Sequence, residues 1–273
     1  MKERRRLQIL PARSLVPNIV TILALAAGMT AIKFALSAKW ELAVGAILLA
    51  AVFDALDGRV ARLMQGTSRF GAELDSLSDM VSFGVAPVMI LYLWTLKSLG
   101  GVGWALVLIF AVCCALRLAR FNVMSELEEA PQEFFVGIPS PAAAVLALWP
   151  MILSFQLEDS SFREPLLVAP YAAIVGFLMI SRLPTFSIKR LRVKGEFVLP
   201  TLVLVGLMAA FAATYIWGTL SLACLLYYVT IPFSVRKARR MKALAAKAAA
   251  KEKNPSPLLS GDPETDEIRP PLH

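Results

Sequence analysis

Residues 40–94 read WELAVGAILLAAVFDALDGRVARLMQGTSRFGAELDSLSDMVSFGVAPVMILYLW. Two apolar runs, 40–64 and 72–97, flank a short polar stretch. Each exceeds the roughly 20 residues that an α-helix needs to cross a hydrocarbon core of about 30 Å, so the pair reads as two membrane spans. Four aspartates, Asp54, Asp57, Asp75 and Asp79, sit within these runs. One aspartate near the middle of a span costs roughly 2.5–3.5 kcal/mol on insertion scales, and four without compensation on the order of 10 kcal/mol. They must therefore face something polar. At about 100° per residue, Asp54, Asp57, Gly58 and Ala61 share one face of the first of these helices. In a regular second helix, Gly71, Asp75, Asp79, Ser82 and Ala86 share a face as well, and the two faces can meet.

The apolar pattern continues on both sides. The chain has 273 residues, 58% of them hydrophobic, and a mean hydropathy of +0.66, well above an ordinary soluble domain. Further runs at 17–38, 102–121, 139–155, 165–181, 197–215 and 217–233 bring the expectation to about eight spans. The predicted fold class is all-α, a polytopic transmembrane helix bundle. We expect a basic N-terminal segment at 1–14, a membrane catalytic domain at 15–234 and a tail at 235–273, with no internal repeat. The apolar stretch that follows the basic start is too long for the core of a signal peptide and reads as the first span.

The net charge of +8 is unevenly placed. With the N-terminus inside, alternate crossings put Arg59, Arg62, Arg69, Arg117, Arg120, Arg182, Lys189, Arg190, Arg192 and Lys194 on the same side. Only Lys39, Lys97 and Arg163 fall in outer loops, with Lys33 near the outer end of the first span. Short loops rich in Lys and Arg stay in the cytoplasm, so an integral, multi-pass protein with both termini and the aspartate-bearing ends cytoplasmic is expected. A basic chain raises the question of nucleic acid. Here the charge flanks spans, so topology and anionic headgroups explain it, and the expected partners include membrane lipids and no nucleic acid. The tail opens with Arg236, Lys237, Arg239, Arg240 and Lys242, suited to lying on anionic lipid, and beyond Asn254 its prolines and few apolar residues predict disorder. Cys113, Cys114 and Cys224 lie within spans without metal or disulfide spacing and read as packing residues. Small residues on several helices permit a homodimer without requiring one.

Four carboxylates converging in a medium of low dielectric constant repel each other unless cations hold them. Oxygen ligands select Mg²⁺, Mn²⁺ or Ca²⁺ over zinc, and two ions about 3.5–4 Å apart are a common clamp for displacement at phosphorus. Arg62 adds charge against a phosphate, while Gly58, Ala61 and Gly71 leave room for a close backbone or a bulky ligand. A buried ion-pair network, or a cation pathway through a transporter, would use the same residue types. Spacing alone leaves these readings open.

The string from Asp54 to Asp79, D-x-x-D-G-x-x-A-R-x(8)-G-x-x-x-D-x-x-x-D, resembles the signature of the CDP-alcohol phosphotransferase family at each fixed position. The resemblance implies a six-helix catalytic core, a dinuclear Mg²⁺ or Mn²⁺ site on Asp54, Asp57, Asp75 and Asp79, and a CDP-linked donor that releases CMP. It assigns Gly58, Ala61 and Arg62, with Gly71 beside them, to the nucleotide and its phosphates, and Asp79 to a ligand or general-base role. An elimination agrees on the base: the one histidine is the terminal His273, so the proton of an attacking alcohol goes to a carboxylate or water. Asp79 is our choice. The stretches 78–84, 117–122 and 135–141 are similar to the phosphatidylserine-forming branch of the family. That similarity implies CDP-diacylglycerol as donor and L-serine as acceptor, with Arg117, Arg120 and Ser82 as candidate acceptor-binding residues. Arg117 and Arg120 also read as snorkelling anchors, and the 135–141 stretch as a plain helix start. Glycerol 3-phosphate or inositol as acceptor, and a cation-coupled transporter, are the rival readings.

Overall fold

The computed structural model describes residues 12–63, 68–126, 135–181, 184–185 and 214–231, with single positions at 206, 211, 233 and 236. Helix α1 (Ala12–Leu36) turns back at residues 37–39 into α2 (Trp40–Leu63). Their seam is built from small side chains: Ala24, Ala27, Ala31 and Ala35 on α1 and Ala43, Ala46 and Ala50 on α2 are all buried. Without a hydrophobic drive between helices in lipid, such residues associate by letting backbones approach. The large side chains lie outside. Ile19, Ile22 and Leu23 on α1, and Leu108, Val112 and Leu116 on α5 (Gly101–Glu126), are exposed, forming the surface a bilayer would cover.

Helix α3 (Arg69–Asp79) starts on Ser68, whose hydroxyl caps it by accepting from the Gly71 amide at 3.0 Å. Past Asp79 the chain does not continue as a regular α-helix. Residues Met80–Val85 form a π-helical turn, with the Ala86 amide donating to the Val81 carbonyl, before α4 (Ala86–Trp94) resumes. Pro87 explains the widening, because its ring would clash with the carbonyl four residues earlier and it has no amide to donate. The predicted common face is thereby broken. The wider turn rotates Ser82 towards α1, where it is fully buried and donates to the Ala24 carbonyl at 3.2 Å. A Cβ on Gly28 would come within 2.5 Å of the Ser82 hydroxyl, so glycine is required there.

The run predicted as one span at 139–155 is two helices, α6 (Ser140–Ala147) and α7 (Trp149–Leu157), bent by 43° where Pro150 enters the second. Helix α8 (Pro165–Ile180) follows. Gly137, at φ +83, lets the chain enter α6 against the end of α8, where a side chain would strike the Met179 carbonyl. One detail departs from an all-helical expectation: Phe135–Val136 pairs antiparallel with Pro184–Thr185. The last described helix, α9 (Ile216–Ile231), matches the run predicted at 217–233. The predicted span at 197–215 lies largely outside the described residues, as do residues 1–11 and nearly all of the tail.

Three stretches, Leu15–Leu36, Arg69–Trp94 and Gly101–Met124, are long and apolar enough to cross a membrane, and the bent α6–α7 pair qualifies if taken as one span. With the exposed apolar belt this is a polytopic helical membrane protein. The loop after α4 meets the loop before α8, where Arg163 Nε donates to the Trp94 carbonyl at 3.0 Å and the Thr95 hydroxyl donates to the Arg163 carbonyl. The C-terminal end of α2, the C-terminal half of α3, the C-terminal end of α5 and the start of α6 gather at the opposite end.

Candidate active site

Asp54 and Asp57 project from the last turns of α2, and Asp75 from α3; one carboxylate oxygen of each lies within 4.8 Å of the other two. Asp57 is buried at 5% exposure and accepts a 2.8 Å hydrogen bond from the Thr21 hydroxyl of α1, fixing one of its oxygens. Asp75 Oδ1 is buried and has no hydrogen-bond partner among the described residues. An orphaned carboxylate oxygen is costly, and a cation is its natural partner. Three convergent carboxylates with an unsatisfied oxygen among them are a donor set that fits a divalent metal.

Asp79 extends the cluster towards α5 and α6. Its carboxyl lies within hydrogen-bonding reach of Asp54 and accepts from the Ser140 hydroxyl at 3.1 Å. Ser140 in turn accepts from Arg117 Nη1 at 2.8 Å, giving a chain from the guanidinium through the hydroxyl to the carboxylate. Arg120 is engaged elsewhere, its Nη1 donating to the Ile180 carbonyl at the end of α8 at 2.9 Å. Of the three candidate acceptor-binding residues, the structure brings Arg117 to the aspartates and gives Ser82 and Arg120 other partners.

A cavity of about 220 Å³ opens beside the carboxylates between α1, α2 and α3. Its walls include Asp57, Gly58, Ala61, Arg62, Gly71 and Asp75, together with Pro17, Asn18, Thr21, Ser68 and Ala72. A Cβ on Gly58 would meet nothing within 4 Å, so that side is open to a ligand, whereas one on Gly71 would come within 2.9 Å of Asn18 Oδ1. Arg62 lies along its own helix, with Nε donating to the Gly58 carbonyl at 2.9 Å.

Sequence reasoning missed Asn18, Thr21 and Ser140. Asn18 and Thr21 are polar residues three apart in the otherwise apolar first half of their span, a signal that could have been weighed. Ser140 lay inside a stretch read as a helix entry, and only the tertiary fold joins it to a carboxylate 61 residues away.

A family model described as CDP-alcohol phosphatidyltransferase matches residues 14–188, which include all four aspartates, Arg117 and Ser140. The chain belongs to this family. A second model, CDP-alcohol phosphatidyltransferase 2, matches residues 196–232 and so covers α9. Among curated relatives in the family, the CDP-diacylglycerol–serine O-phosphatidyltransferase of Mycobacterium tuberculosis is 36% identical over 228 residues, covering 82% of this chain and 79% of the relative. The protein of that name from Helicobacter pylori is 37% identical over 199 residues, 72% of this chain and 81% of the relative. The one from Bacillus subtilis is 33% identical over 168 residues, 62% and 88% respectively.

Proposed function

We propose that this membrane enzyme transfers the phosphatidyl group of CDP-diacylglycerol to the hydroxyl of L-serine, giving phosphatidylserine and CMP. The observation that carries the reading is the meeting of Asp54, Asp57 and Asp75 with the Arg117–Ser140–Asp79 chain at one end of the bundle. The relatives, named as serine phosphatidyltransferases, support serine as acceptor.

In this mechanism the cavity beside Gly58, Ala61 and Gly71 receives the nucleotide, and Arg62 leaves its helix to meet a phosphate. Asp54, Asp57 and Asp75, with Asp79 alongside, would hold Mg²⁺ or Mn²⁺, as a dinuclear pair on our reading. Bound there, divalent ions supply neutralisation of the pyrophosphate charge and support for the leaving oxygen. Thr21 keeps Asp57 in its binding rotamer, and Ser140 does the same for Asp79. Asp79 takes the proton of the serine hydroxyl as its oxygen forms a bond to the phosphorus that carries diacylglycerol; the bond from that phosphorus to the CMP oxygen breaks. The distribution of Lys and Arg supports a cytoplasmic site with both termini inside.

The test is CMP release by the purified enzyme from CDP-diacylglycerol with L-serine, glycerol 3-phosphate or inositol supplied singly. Release that depends on serine is expected. Release that depends on another alcohol and not on serine would discard the acceptor and keep the family, and no release with any alcohol would discard the chemistry.

A further inference from the structure

Two buried donors, one of them beside the aspartates, are left without acceptors among the described residues. Arg117 Nε and the Tyr227 hydroxyl both have no hydrogen-bond partner among the described residues, although each atom is shielded from solvent. They belong to different helices, Arg117 to α5 and Tyr227 to α9, and lie close enough to interact electrostatically. Nearby tyrosines are satisfied. The Tyr171 hydroxyl donates to the Leu146 carbonyl at 2.7 Å and lies 2.8 Å from that of Tyr228, which is then the donor between them. Buried donors without acceptors are rare in folded proteins, and a pair that includes a guanidinium calls for an anionic group with more than one oxygen.

Arg117 is also tied to the reaction centre, because its Nη1 reaches the Asp79 carboxylate through Ser140 by two hydrogen bonds. In serine, two carbons separate the hydroxyl oxygen from the carboxylate carbon. A carboxylate held at Arg117 therefore leaves the hydroxyl within reach of Asp79. We propose that the Tyr227 hydroxyl and Arg117 Nε together bind the carboxylate of the acceptor serine, which makes Tyr227 a specificity-determining residue contributed by the C-terminal helix. This rests on the serine reading above. It gives α9 a role that the four aspartates alone do not require.

The experiment uses the full-length enzyme in detergent micelles with CDP-diacylglycerol and compares wild type with Tyr227→Phe, which removes one oxygen and keeps the ring. The KM for serine should rise roughly tenfold, as for loss of one hydrogen bond to a charged group, while kcat and the KM for CDP-diacylglycerol stay within about twofold. Tyr228→Phe, which alters the satisfied tyrosine pair, should leave the serine KM unchanged. A wild-type serine KM in Tyr227→Phe overturns the proposal and leaves the acceptor assignment standing. An equal loss in both substrates with a lowered Tm also overturns it, since that marks Tyr227 as a packing residue. A wild-type enzyme that uses another alcohol and ignores serine removes the acceptor assignment itself.

Discussion

Asp57 and Asp75 face opposite problems with the same kind of side chain. Asp57 is buried with one oxygen fixed by Thr21, whereas Asp75 has a buried oxygen with no partner among the described residues. On the proposed mechanism both hold a cation in the working enzyme. Asp57→Asn and Asp75→Asn should each abolish CMP release, with partial recovery at most in excess Mn²⁺; wild-type turnover by either variant at ordinary metal concentration would refute the metal assignment. Asp79→Asn should behave differently. Nucleotide binding should survive while turnover falls by roughly 10²–10⁴, the range for loss of a general base, and a variant that instead lost donor affinity at unchanged kcat would remove Asp79 from that role. Thr21→Val keeps the shape and deletes the hydrogen bond to Asp57. The metal concentration for half-maximal activity should rise by roughly 10–100-fold, the usual cost of removing a group that orients a ligand. The aspartates were legible in the sequence because ionised groups in apolar runs are conspicuous at any range. Thr21 and Ser140 were not, since a hydroxyl is cheap in a helix and gains its meaning only from a neighbour on another one.

At the scale of the helix, the π turn at Met80–Val85 and the α1 seam are two sides of one contact. The turn points Ser82 at Ala24, and Gly28 leaves the space for it. Gly28→Ala would place a carbon 2.7 Å from the Ser82 Cα, which is backbone and cannot step aside. The variant should be destabilised by about 1–3 kcal/mol, the cost of overpacking, read as a lowered Tm in detergent. Activity should fall with it, because α3 would be pushed from α1 and Asp75 from Asp57. Hydrophobic run lengths gave the helices of α1, α2, α5, α8 and α9 within a few residues. They could not give the π turn or the α6–α7 bend, because each follows from a proline ring meeting a particular carbonyl, and apolar composition is the same on either side.

For the molecule as a whole, the site elements gather at one end of the bundle and the Trp94–Arg163 contact marks the other. The orientation proposed from the charge distribution has the site end in the cytoplasm. Cysteine labelling in intact cells checks this cleanly because Cys113, Cys114 and Cys224 are free but buried. A reporter at Arg163 should react with an impermeant reagent added outside and one at Arg236 should not. The reverse pattern would invert the topology.

The Thr21–Asp57 hydrogen bond lies within the first helical hairpin, whereas Asp79 reaches its Ser140 partner only across 61 residues of chain. Translation therefore delivers the two carboxylates under different circumstances. Asp57 can enter the bilayer already paired, as soon as the second helix has left the ribosome and joined the first. Asp79 arrives with α3 and waits, through the synthesis of α4 and α5 and the opening of α6, for the hydroxyl that will hold it. On the proposed roles, the proton acceptor is set in place after the first ligands of the metal site.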